Sequence, residues 1–376
     1  MVNEGSTLVR LREGRAEFLA PSGYNLKGPG RRTGEAFYNR QMELNRDVCI
    51  SLLRTEGRHL KVLDTMAATG VRSARMALEV EPVPEIVAND SNPAATALMK
   101  LNFTGPRLEA ITLRTAKAAV AMAEGNYDYI DIDPFGTPVR YMPQALMSVI
   151  SGGLVGITAT DSAMLCGSAR GSERRYFAAP GRWPFMHEIG VRNLIGYIVR
   201  LGASYDRAVF PVLSYFADHY FRIYVRVRNG VKLAEKQLQQ LEFAHYDRKT
   251  GRRWMSGERT ADAAGPAWSG RLHDTDILAA MRVESWFGTA QRFTKMLNLW
   301  KGEATAPQLF YNMDEMSRIF GFNLPSMDET LRLLSSVGTA CRTHFDPKGF
   351  KTSADLDSLR KLLAASRAKG ISGVHS

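Results

Sequence analysis

The chain has 376 residues, too many for one ordinary hydrophobic core, so two domains are expected. Hydrophobic residues make up 45% and charged residues 23%, a balance that excludes wholesale disorder. Lys and Arg number 49 against 38 Asp and Glu, and the resulting +11 points to a polyanionic partner, nucleic acid ahead of an acidic membrane surface.

Residues 1–35 read as an N-terminal extension. Glu4, Arg10, Arg12, Glu13, Arg15 and Glu17 would interrupt the apolar core of a secretory signal. From about Arg40 the chain alternates helix and strand. Met42–Arg54 is an amphipathic helix with Leu44, Val48, Leu52 and Leu53 on one side, Leu60–Asp64 a strand, and Val71–Glu79 a helix. Glu85–Asp90 is a second strand, followed by a helix that opens at Pro93, a favoured first helical position. Ile111–Leu113 is a weak third strand with a helix to about Ala123. Tyr127–Asp133 is the fourth strand, Val139–Ile150 a helix, and Gly153–Thr160 the fifth strand. Such alternation predicts a parallel, doubly wound α/β sheet. Ala208–Tyr215 and His219–Arg228 meet at Phe216–Asp218 and read as a closing hairpin.

Beyond Asn229-Gly230, residues 232–257 read as a polar linker or irregular entry, and 275–301 as one helix. Two capped helices follow, Asn312 with Glu315 and Ser326 with Glu329. Thr339–Phe345 and Gly349–Ser353 read as a hairpin. This winged-helix-like order marks a second, smaller α/β domain, with the boundary near residue 230 and the last seven or so residues frayed. The longest apolar run, 149–159, is too short to span a bilayer. Cys49, Cys166 and Cys341 form no CxxC pair, which fits a reducing cytoplasm and offers no thiolate zinc site. No metal and no membrane contact are expected.

The chemistry is read from three strand ends. The first strand runs into Asp64-Thr-Met-Ala-Ala-Thr-Gly70, whose small residues let backbone N–H groups approach a ligand at the start of a helix. The second ends in Asn89-Asp90, where an acid can accept both hydroxyls of a ribose. A dinucleotide fingerprint needs glycines where this turn has alanines and threonine, so S-adenosyl-L-methionine fits better than NAD. The fourth strand ends in Asp133-Pro134-Phe135-Gly136. Proline cannot continue a central strand, phenylalanine offers a stacking face, and glycine allows a tight turn. An exocyclic amine has its lone pair delocalised into the ring, so its methylation calls for a fixed acceptor such as Asp133. The alternative for an acid at a strand end is a helix cap or solvated turn.

Taken together, "FYNRQMELNRD", "LDTMAATGVRSARMALE", "ANDSNPAA", "DIDPFGTP", "GITATDSAMLCG", "GPAWSGRLHD" and "RTHFDPKGFKTSA" resemble the tRNA (guanine-N2)-dimethyltransferases that modify guanosine 26, over roughly Phe37 to Ser353. The resemblance implies a Rossmann-like class I methyltransferase domain at 1–230 and an RNA-binding domain at 231–376, in the cytoplasm, with tRNA as partner and no protein partner implied. It also implies that Arg46, Asp64, Ala67, Gly70, Arg72 and Asp90 serve the cofactor. Asp133 and Phe135 would be catalytic, and Phe37, Pro134 and Gly136 would shape the pocket for the flipped guanine. The family's acid after the third strand is missing here, where "LRTAKAAVA" places Thr115 or Lys117, and so are the zinc cysteines of some members. The run "DRKTGRR" with Lys348 and Lys351 supplies candidate exposed cations for RNA. A base methyltransferase for another RNA or for DNA, and a non-catalytic RNA-binding protein on the same scaffold, are the competing readings; the intact Asp64, Asp90 and Asp133 argue against the second.

Overall fold

The computed structural model describes residues 7–24 and 36–372. Residues 1–6 and 25–35 of the expected extension and 373–376 of the expected frayed end lie outside them. The chain forms two compact units, each made of separate stretches: residues up to 161, 198–238 and 276–295 in the first, and 162–197, 239–275 and 296 onward in the second. The single boundary expected near 230 is therefore replaced by several crossings. Among the described residues no helix is long and apolar enough to cross a membrane.

In the first unit, β1 (Leu8–Glu13) and β2 (Ala16–Pro21) form an antiparallel hairpin where the sequence showed only an extension. The main sheet comprises β3 (Lys61–Asp64), β4 (Glu85–Asn89), β5 (Thr112–Arg114), β6 (Tyr127–Ile132), β7 (Val149–Ala159), β8 (Arg207–Ala217) and β9 (Tyr220–Asn229). Their order is β5-β4-β3-β6-β7-β9-β8. The first five run parallel and the β8–β9 hairpin closes the sheet antiparallel, as expected. This is a doubly wound sheet whose order reverses beside β3, and ligands of such sheets bind beyond the carboxyl ends of the strands.

Most helices follow the expected spans, with Glu43–Arg54 and Val71–Glu79 nearly unchanged. Asn92 caps the helix that begins at Pro93 by accepting from the Ala94 N–H. The helix before β7 stops at Ser148, and Val149 to Gly152, expected in part as helix, already belong to the strand. Valine and isoleucine favour the extended chain there. The single helix expected over 275–301 is broken: Thr275–Ala280 and Ala290–Glu303 are helical, and the chain between carries Trp286 and Phe287. Trp286 lies under the Arg15 guanidinium at 3.8 Å, and Thr289 donates twice to Asp47, so contacts within the first unit replace the helix.

The second unit corrects the reading of 232–257 as irregular. Beyond the first unit's Val231–Leu238 helix, β10 (Leu241–Tyr246) pairs antiparallel with β11 (Arg253–Ser256) and β12 (Ala264–Trp268). Further on, β13 (Tyr311–Asn312), β14 (Ala340–Arg342) and β15 (Gly349–Thr352) make a small sheet in the order β13-β15-β14. The expected helix, helix, hairpin order is present, with Asn312 and Ser326 as the N-caps. Met316, Phe320, Leu334, Phe350, Leu359 and Leu363 form its core.

Three candidate RNA cations change status. Arg253 is buried, bonded to Glu315 at 2.7 Å and to the Phe310 carbonyl. Lys351 is buried against Glu188 at 2.9 Å. Lys348 is exposed but paired with Asp314 at 2.7 Å. Arg248, Lys249 and Arg252 remain exposed on the β10–β11 turn.

Candidate active site

A cleft of about 1040 Å³ lies beyond the ends of β3, β4 and β6. Phe37, Arg46, Asp64, Ala67, Arg72, Asp90, Asp133, Pro134, Phe135 and Gly136 all line it. Gly70 does not. It sits at φ +80°, and a Cβ there would fall 2.7 Å from the Phe103 ring, so the turn and its packing demand glycine.

The first two turns are fastened to each other. Ala68 adopts φ +52°, and its N–H donates to Asp90 Oδ2 at 3.0 Å, while Asp90 Oδ1 accepts from the Asn92 N–H at 2.9 Å. Asn89, fully buried at the end of β4, donates to the carbonyls of Thr65 at 2.9 Å and Ala116 at 3.1 Å. One side chain thus ties together the loops after β3, β4 and β5. In the third loop Lys117, Ala118 and Ala119 line the cleft, while Thr115 donates to the Thr96 hydroxyl at 2.8 Å.

At the end of β6, Asp133 Oδ2 accepts from Arg72 Nη2 at 2.6 Å. Arg72 is itself buried, bonded to Asn45 Oδ1 at 3.0 Å and 3.4 Å from Asp131 Oδ1. Asp131 lies two residues deeper on the central strand, with no exposure at all. A buried charge must be paired. Here Arg222 of β9 and the Tyr129 hydroxyl both bond Asp131 Oδ2, and Arg222 also donates to Thr158 at 2.9 Å. Burial alone would raise the Asp131 carboxyl, but Arg222 and Arg72 outweigh it and hold it below the usual range. Asp64, beside Asp131 on β3, goes the other way: burial pushes it up to about 7, with Asp131 adding and Arg72 opposing. Ser73 donates to it at 2.8 Å.

Phe37 and Phe135 meet edge to face with centroids 4.8 Å apart, and Phe135 is 46% exposed. Gly136, at φ +80°, donates its N–H to Thr160 Oγ1 at 2.7 Å and accepts from the Thr160 N–H at 2.9 Å, which fixes the loop after β6 to the end of β7. Arg46 lines the cleft with its guanidinium seated on Glu13 at 2.6 and 2.7 Å. Glu13 also bonds Arg75 at 2.9 Å and accepts from the Tyr38 hydroxyl at 3.0 Å.

Sequence reasoning missed Asn89, Glu13 and Arg222 as parts of this site. The signal for Arg222 was an arginine inside the apolar run "YFRIYV", opposite an acid that a central strand would bury.

The family model for N2,N2-dimethylguanosine tRNA methyltransferase matches residues 28–364. The chain belongs to this family. It is 34% identical over 387 residues to a tRNA (guanine(26)-N(2))-dimethyltransferase of Pyrococcus abyssi, with 96% of this chain and all of that protein covered. The corresponding protein of Sulfurisphaera tokodaii is 31% identical, with 94% and 98% covered. The solved structure of Trm1 from Pyrococcus horikoshii, a complex with S-adenosyl-L-methionine, superposes with a TM-score of 0.84 at 33% identity, covering 95% of this chain and all of that one. As in other members of the N2,N2-dimethylguanosine tRNA methyltransferase family, the sheet is that of a Rossmann-like class I methyltransferase. The residues present fit a sulfonium donor: alanines leave the first turn open, and Asp90 stands at the second with its carboxylate beside the cleft.

Proposed function

We propose that this chain methylates the exocyclic N2 of guanosine 26 in tRNA, giving N2-methyl- and N2,N2-dimethylguanosine in the cytoplasm. The observation that carries this reading is the meeting, in one cleft, of the Asp90-fastened turn with an Asp133 carboxylate held by Arg72 beside two phenylalanine rings. When bound, S-adenosyl-L-methionine supplies an electrophilic methyl on sulfur. Ala67, Asp64 and Asp90 form the wall that would hold it, Gly70 shapes the turn, and Arg46 and Arg72 supply the positive side of that wall.

The reacting amine lies inside folded RNA, and extruding its base costs roughly a few kcal/mol. Phe135 and Phe37 offer the stacking surface for the extruded guanine, with Pro134 and Gly136 shaping the rim. Asp133 accepts the amine N–H as the nitrogen attacks, and the pair with Arg72 fixes where that oxygen stands. Positioning of this kind contributes much of the rate. A Cβ added at Gly136 would meet no atom within 4 Å, so this stretch of the rim leaves room for the amine to return with one methyl in place. The first unit carries this chemistry, and the second is proposed to hold the RNA body, with Arg248, Lys249 and Arg252 on phosphates.

Incubation with labelled S-adenosyl-L-methionine and an unmodified tRNA transcript, followed by nucleoside analysis, tests the reading. Label in N2-methylated guanosines, lost when guanosine 26 is replaced by adenosine, supports it. Label on another base, or none, overturns it.

A further inference from the structure

The lysines and arginines that line the cleft are Arg46, Arg72, Lys117 and Arg140. Arg46 is committed to Glu13, and Arg72 to Asp133 and Asp131. Lys117 and Arg140 are exposed, and among the described residues no carboxylate pairs with either. Lys117 stands after β5, at the edge of the sheet. Arg140 stands on the segment that leaves β6 through Asp133.

That segment is fixed. Gly136 is tied to Thr160 at the end of β7, the Val139 N–H donates to Thr137 Oγ1 at 3.3 Å, and the Tyr141 N–H donates to the Pro138 carbonyl at 2.9 Å. These bonds close a single 3-10 turn, Val139–Tyr141, that runs directly into the Met142–Ser148 helix. Arg140 therefore rides on rigid backbone, its guanidinium carbon 5.4 Å from the Tyr141 ring centroid. A ring face takes up none of its N–H donors, which stay available to an anion.

Its place along the sheet says which anion. The cleft rim runs from Asp90 after β4, past Asp64 on β3 and Asp133 after β6, to Thr160 after β7 and His219 before β9. Asp90, Ala67 and Asp64 form the wall proposed for S-adenosyl-L-methionine, which leaves the stretch from Asp133 to His219 for the nucleotide. An extruded base stays bonded to its sugar and to the two phosphates beside it, so those phosphates arrive at the rim with it. The carboxylates of Asp90 and Asp133 on that rim repel them, and a cation with no acid of its own offsets this. We infer that Arg140 grips a phosphate flanking the extruded guanosine, holding the nucleotide by its backbone while Asp133 engages its amine. Arg140 is thus a positioning residue, and the inference rests on the tRNA reading above.

The test uses the full chain in single turnover, with S-adenosyl-L-methionine and tRNA both saturating. Arg140→Gln should slow methylation about 10- to 100-fold, the size of one charge-assisted hydrogen bond, and Arg140→Lys should recover most of the rate. Both variants should melt like the wild type, because Arg140 is exposed. A tRNA with an uncharged methylphosphonate placed either 5′ or 3′ of guanosine 26 locates the phosphate. One of the two positions should slow the wild-type enzyme by the same factor and slow Arg140→Gln no further. A wild-type rate for Arg140→Gln overturns the grip, as does a methylphosphonate loss that multiplies with the substitution, or no loss at either position. Weaker S-adenosyl-L-methionine binding by Arg140→Gln in calorimetry assigns the cation to the donor's carboxylate and also overturns the grip. In each of these outcomes the wild-type enzyme still methylates guanosine 26; absence of that activity overturns the enzyme reading, and the grip with it.

Discussion

Arg72 Nη2 lies 2.6 Å from Asp133 Oδ2, and the arginine is buried while the carboxylate side chain keeps 22% exposure. The acid at the cleft rim is therefore held by a buried cation while its partly exposed side chain lines the cleft. Replacing Asp133 by Ala should lower single-turnover methylation of tRNA by about 10²–10⁴, the usual contribution of a positioned proton acceptor. Asp133→Asn should be nearly as impaired, and binding of S-adenosyl-L-methionine by calorimetry should persist in both. Near-normal methylation by Asp133→Asn would assign the carboxylate a structural role.

Asp131 is more than a buried structural acid. Removing its charge leaves Arg222 and Arg72 partly uncompensated in the interior, a change that costs about 3–5 kcal/mol. Asp131→Asn should therefore lower the melting temperature and also, at temperatures where it is folded, lower kcat with little change in KM for tRNA. Unfolding curves and steady-state rates separate the two effects; unchanged kcat in the folded variant would remove Asp131 from the positioning of Arg72.

Asp90→Ala should weaken S-adenosyl-L-methionine binding severely, because it removes the carboxylate beside the cleft and releases the Ala68 turn together. Calorimetry against a normal melting temperature reads this directly. Wild-type affinity would shift the donor's ribose away from Asp90.

The three strand-end acids were legible in the sequence because each is a local signature, a few residues where a strand becomes a turn. The buried ion pairs behind the cleft were not. Arg222 lies 91 residues from Asp131, and Glu13 lies 33 from Arg46, separations that leave no pattern in the chain. The Met186–Ala203 helix escaped for another reason: from Ile189 to Val199 it is buried on every side, so it shows no polar face to mark its period. The β10–β11 hairpin was hidden by charge, since its turn carries Arg248, Lys249 and Arg252 and reads as linker.

Glu13 sets an acid limit on stability. Burial would raise its carboxyl, but Arg46 and then Arg75 outweigh it and bring it to about 2, from an ordinary 4.5. A depressed carboxyl contributes stability above its unfolded-state value and loses it as pH falls toward the folded one, here between about 4.5 and 2, and the shift is worth about 3 kcal/mol. Glu13→Gln should be less stable than wild type at pH 7, with the gap narrowing through that window in denaturant titrations. A gap independent of pH would sink the assignment.

Binding of tRNA should weaken steeply with salt as counterions are released. Neutralising Arg248, Lys249 and Arg252 together should flatten the logarithmic slope, whereas Arg253→Gln should act on the melting temperature, since Arg253 is buried on Glu315. A triple variant with the wild-type slope removes this turn from the RNA surface.

The pairing of Asp131 with Arg222 also bears on synthesis. The ribosome releases the strand carrying Asp131 91 residues before its counter-ion, an interval of roughly 5–20 s at ordinary elongation rates. Over that interval the nascent sheet lacks both β9 and the buried cation that makes an acid tolerable in its central strand. The cleft-lining end of β6 is thus set only after the closing hairpin arrives, and a nascent chain stalled before residue 220 would carry the strand-end motifs of the cleft without their final geometry.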